Sequence, residues 1–61
     1  MSKANRKQLQ EALRRLHYYS GPADGNFGPR TRAAIRRFQR DIAAETTGSL
    51  TAEQANRLGP P

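Results

Sequence analysis

The chain has 61 residues, with 11 Lys plus Arg against 5 Asp plus Glu and a formal net charge of +6. A chain this short makes one domain, which buries only about 60% of the surface its unfolded form exposes. Without cysteine it excludes disulfide scaffolds, thiolate metal sites and thiol catalysis together; its cations are mostly arginine, which suits planar anions such as carboxylates and phosphates.

The opening MSKANRKQLQ lacks the apolar region of a signal peptide, and no apolar run anywhere is long enough to span a bilayer. Leu9, Leu13 and Leu16, with Ala12 beside them, recur at helical spacing and predict a helix over about Asn5 to Leu16. Arg6, Lys7, Gln10, Glu11, Arg14 and Arg15 fall on its opposite face. Next comes SGPADGNFGPRT, Ser20 to Thr31, much longer than a simple connection between two helices requires. Its glycines and Pro22 carry turn chemistry. The Asp24 carboxylate is expected to accept N–H groups otherwise orphaned at the start of the second helix, whose positive dipole end favours an anion. Phe27 is expected to tuck beneath the loop into the core, and Thr31 to turn its hydroxyl toward the loop backbone.

Pro29 suits the first position of a second helix, since its missing N–H has no partner there anyway. Thr31, Ala34, Ile35, Phe38 and Ile42 define the buried face, and the pattern predicts helix from Pro29 to about Ala44. After ETTGS, Thr51 with Gln54 reads as a capping box and Leu50 with Ala55 as a hydrophobic staple. They open a short helix from Ala52 to about Leu58, stopped by Gly59 and two prolines. No segment alternates over strand length. The expected fold is all-α: a small three-helix bundle with a long structured loop between helices 1 and 2, one domain over 1–61 with its core at about 8–58.

The run LQEALRRLHYYSGPADGNFGPRTRAAIRRFQRD, followed by TGSLTAEQANRL, resembles the bacterial peptidoglycan-binding domain of the three-helix type. The resemblance extends from about Gln8 to Leu58 without a gap, and the stretch Asp24 to Gln39 is its most specific part. It places Asp24, Gly25, Phe27, Gly28, Thr31 and Gln39 on the family motif. Two positions depart from it. His17 stands where the family has a glycine closing helix 1, a site that calls for left-handed backbone. Ala43 and Ala44 replace a Gly-Leu pair, which predicts a smaller core there and a second helix extended by a turn.

The resemblance implies a non-catalytic module that binds peptidoglycan and targets an attached enzyme or envelope protein to the wall, without cofactor or metal. It implies a place in the periplasm or cell envelope as part of a longer exported chain. Residue chemistry adds candidate contacts: Asp24, Gly25 and Gln39 for hydrogen bonds, Tyr18 or Tyr19 for an apolar face, and Arg32 or Arg36 as countercharge to stem carboxylates. One tyrosine is expected to pack and the other to stand at a groove rim. Phe27 and Phe38 read as core, His17 as a helix-closing residue, and the domain as a monomer. The plainer reading of Asp24 and the loop glycines is architectural, building the corner and capping the second helix.

A second function class competes. Arg32, Arg36 and Arg40 at i, i+4 and i+8 form a ridge, and a basic second helix suits a nucleic-acid-binding domain. The loop before it is far longer than the turn of a helix-turn-helix motif, so a solvated basic face is the plainer alternative. Enzyme readings fail on residue placement: no serine has a histidine or carboxylate set to activate it, and the acids lie on separate elements.

Overall fold

A computed structural model of the chain describes residues 2–59. Three helices follow in order: α1 Lys3–Arg15, α2 Pro29–Asp41 and α3 Ala52–Leu58. Among the described residues there is no strand, and no helix is long and apolar enough to cross a membrane. α1 packs against both other helices.

α1 begins earlier than its apolar spacing predicts because Ser2 caps it, its hydroxyl accepting the Asn5 N–H at 3.1 Å. Its buried side is narrower than expected. Leu9, Ala12 and Leu13 are buried, whereas Leu16 is 52% exposed. Leu16 is the C-cap, and the chain reverses immediately after it. His17 is left-handed at φ 66°, its N–H bonded to the Arg14 carbonyl and that of Tyr18 to the Leu13 carbonyl. This is the paired bonding of a Schellman turn, with histidine where glycine is usual.

α2 ends at Asp41 and not near Ala44. The reason is the same device. Ala43 adopts φ 58°, its N–H returns to the Arg40 carbonyl, and that of Ala44 to the Gln39 carbonyl. Alanine takes the left-handed position, so the family's turn survives without its glycine and the helix is not extended. α3 matches its expected bounds because the Thr51–Gln54 capping box forms in full at its start and Gly59 closes it, its N–H bonded to the Ala55 carbonyl.

The core joins Leu9, Ala12, Leu13 and Tyr19 to Ala34, Ile35 and Phe38 of α2 and Leu58 of α3. Phe27, Ile42, Leu50, Ala55 and Tyr18 pack against its edge.

Candidate functional site

Two buried glutamines position both loops. Gln10, expected on the solvent face, is fully buried. Its Oε1 accepts the Gly25 N–H at 2.7 Å, and its Nε2 donates to the Asn26 carbonyl at 2.9 Å and the Thr31 hydroxyl at 3.1 Å. Gln39 repeats the arrangement one helix later. Its Oε1 accepts the Gly48 N–H at 3.0 Å, while Nε2 donates to the Ser49 carbonyl at 2.9 Å, Gln54 Oε1 at 3.0 Å and the Thr47 hydroxyl at 3.2 Å. In each turn the residue before the glycine accepts the N–H of the residue after it: Asp24 Oδ1 from Asn26 at 2.9 Å, Thr47 Oγ1 from Ser49 at 3.1 Å. Both glycines sit at φ 84°, which L side chains rarely adopt. Buried amides satisfied this completely act as fixed ties.

The ties flank a shallow cleft of about 380 Å³ lined by Phe27, Gly28, Pro29, Arg32 and Arg36. The first loop delivers Phe27 and Gly28 to it, and the N-terminal half of α2 delivers the arginines. The second loop backs them: a Cβ placed on Gly48 would lie 2.9 Å from Arg36 Nη1 and 3.8 Å from Arg32 Cβ. Both arginines are exposed. Neither guanidinium has a hydrogen-bond or ion-pair partner among the described residues.

The other sequence-predicted residues stand apart from this cleft. Asp24 is exposed at the first turn, and it does not cap α2, whose N-cap is Gly28 with no side-chain bond. Its carboxylate serves its own turn. The Asn26 N–H, helped by Gln10 and Lys3, holds the Asp24 pKa below its ordinary 3.8. Gly25 lies under α1, with its carbonyl accepting Arg6 Nε at 2.8 Å. Tyr19 is the packed tyrosine, buried with its hydroxyl donating to the Pro22 carbonyl at 2.8 Å. Tyr18 is half-buried, edge-on to Phe38 at 5.9 Å, and donates to Asp41 Oδ2 at 2.6 Å. That bond raises the phenol pKa above 10. Gln39 and Thr31 are buried, and Phe38 is core. Arg32 and Arg36 are thus the two candidate contacts that the structure brings together.

Gln10 is the residue that polarity concealed. The available signal was internal repetition: Leu9-Gln10 and Phe38-Gln39 are each followed by an x-Gly-x turn, Asp24-Gly25-Asn26 and Thr47-Gly48-Ser49.

A family model described as "Putative peptidoglycan binding domain" matches residues 2–58. The chain is 47% identical over 55 residues to the localization factor PodJL of Caulobacter vibrioides, covering 90% of this chain and 6% of that protein. It is 41% identical over 46 residues to a protein of Synechocystis described as "Putative OxPP cycle protein OpcA", covering 75% of this chain and 10% of the other. The chain therefore spans a small fraction of the length of these relatives. No solved structure matches it.

Proposed function

The chain belongs to the peptidoglycan-binding domain family, and on that premise we propose that it is a non-catalytic wall-binding module that holds an attached protein at the cell envelope. Such a module acts by raising the local concentration of its partner at the polymer, with no chemistry of its own. The observation that carries the reading is the open cleft beside α2, lined by Arg32 and Arg36, which have no partner among the described residues, and by Phe27, Gly28 and Pro29, on a scaffold tied by Gln10 and Gln39. Peptidoglycan offers what that surface asks for: carboxylates on its peptide stems, and apolar groups beside them. A single monomeric domain suffices.

The basic ridge of Arg32, Arg36 and Arg40 leaves nucleic acid as the reading to be excluded. The test is co-sedimentation of the purified 61-residue domain with insoluble sacculi across a salt series, alongside duplex DNA. Binding to sacculi is expected to persist at ~0.3 M salt, where the Debye length is below ~8 Å and long-range attraction to a basic face is screened. Duplex affinity resting on phosphate contacts falls with a log–log slope of about −0.9 per phosphate neutralised. Release of soluble muropeptides, or tight duplex binding at physiological salt without sedimentation on sacculi, refutes the proposal.

A further inference from the structure

Which part of the wall polymer the cleft takes is a separate question, and the cleft's chemistry selects among the polymer's groups. Resting on the wall-binding reading, we propose that the cleft is the subsite for the terminal carboxylate of a peptide stem, gripped by Arg32 and Arg36 over Phe27 and Pro29, and that the glycan contributes little there.

Charge gives the first reason. In the assembled polymer the amino sugars carry no charge, each stem-bearing lactyl carboxyl being tied up as an amide, whereas stems carry free carboxylates, and planar guanidiniums form their strongest hydrogen bonds with such anions. Arg32 and Arg36 are one helical turn apart, so they can close on one ligand. The acid Asp41, on the same helix, is engaged by Tyr18 instead.

Support for the arginines gives the second. The Arg36 stem lies against Gly48, with its Cγ 3.6 Å from where a Cβ would stand. Gly48 is itself fixed by Gln39. Gln39 is thus a positioning residue, acting on the ligand through the turn and Arg36.

The third reason is the space at Gly28. Its φ of −86° is open to any residue, so the backbone does not demand glycine. Nothing in the protein lies within 4 Å of the place a Cβ would take. Position 28 is also the helix N-cap, where Ser, Thr, Asp or Asn would satisfy helix N–H groups better. Glycine there leaves the lip of the cleft clear. About 380 Å³ lies near the small end of ligand-site volumes, a size for a short peptide end more than for a glycan strand. Sugar stacking needs a broad exposed aromatic face, yet Tyr19 and Phe38 are buried, Tyr18 is half-buried outside the cleft, and Phe27, the one aromatic that lines it, is half-buried against the core.

The experiment compares intact sacculi with stem-free glycan prepared from them by amidase, the lactyl carboxylates that the cleavage frees being converted to amides, and competes binding with a synthetic stem peptide ending in a free alanine carboxylate or in its amide. The domain is expected to sediment with intact sacculi, to be released by the free acid but not by the amide, and to bind stem-free glycan about tenfold less, the equivalent of one charge-assisted hydrogen bond. Arg32→Gln with Arg36→Gln should lose a similar factor, whereas Arg14→Gln with Arg15→Gln, an equal charge change on α1, should not. Melting is expected to be unaltered in both. A Gly28→Leu variant, which fills the lip, should lose binding to the free-acid peptide. Equal binding to intact and stem-free material, or equal release by acid and amide, overturns this inference and leaves the wall-binding reading standing. Failure to sediment with either material refutes that reading as well.

Discussion

Replacing Gln10 by methionine keeps roughly the side-chain volume and removes every polar atom of the first tie. The loss can be worked bond by bond. The Gly25 N–H, donor of the 2.7 Å buried bond, is left without an acceptor beneath α1. A buried donor orphaned in this way costs about 1–3 kcal/mol. Thr31 Oγ1 is also buried and loses its donor, adding about 1 kcal/mol. Asn26 is exposed, so water can replace the bond to its carbonyl. The expected total is about 2–4 kcal/mol, against about 3–9 kcal/mol for the whole of a domain this size. Far-UV circular dichroism should show the thermal midpoint falling by roughly 10 °C or more. Hydrogen exchange should show the Gly25 amide losing protection ahead of the core of α2. Gln10→Glu sharpens the test. Its carboxylate still accepts from Gly25 but faces the Asn26 carbonyl, which raises its folded pKa above the unfolded carboxyl value. The raised pKa makes this variant relatively most stable in acid and progressively weaker as pH rises through the folded value. A Gln10→Met variant within about 0.5 kcal/mol of wild type, with Gly25 still protected, would refute the tie as a source of stability.

Two further outcomes are expected from the same structure. His17→Gly and Ala43→Gly each relieve a left-handed residue worth about 1–2 kcal/mol, offset by about 0.5–1 kcal/mol of extra chain entropy in the unfolded state, so each should raise the denaturation midpoint modestly and the two should add; a lowered midpoint in both would show that the side chains are held by something else. Asp24 has a depressed folded pKa, so its contribution is complete above the unfolded value of 3.8 and is lost as pH falls through the lower folded value. The melting midpoint should therefore hold steady from pH 7 to 5 and fall below about pH 4, and Asp24→Ala should remove part of that acid drop without shortening α2. An acid drop of undiminished size in the variant would assign it to other carboxylates.

The helices were legible where one physical cause dominated locally. Apolar spacing found α1 and α2, the capping box set the start of α3 because its two bonds need only residues within one turn, and Gly59 marked its end. The C-terminus of α2 was hidden because Ala43 has none of glycine's permissiveness and gives no sign of a left-handed turn. At His17 only the resemblance to a family with glycine there revealed it. Gln10 was misread for a different reason. Polarity reports what a side chain prefers in isolation, whereas Gln10 is buried by a demand arising elsewhere, the unpaired N–H and carbonyl of a turn 15 residues away. Such a demand becomes visible only when the chain is compared with itself. Gly25 precedes Thr31 by the same interval as Gly48 precedes Gln54, and each pair closes on one glutamine. That repetition also explains why Asp24, Tyr18 and Gln39 do not line the cleft together with the arginines. Side chains used to tie turns are not free to meet a ligand, and Gln39 and Tyr19 are already satisfied internally. A core this small leaves few buried residues to make a surface rigid, so buried amides do that work. The cleft that remains is built on both ties: Phe27 and Gly28 are carried by the first turn, and the exposed Arg32 and Arg36 are backed by the second.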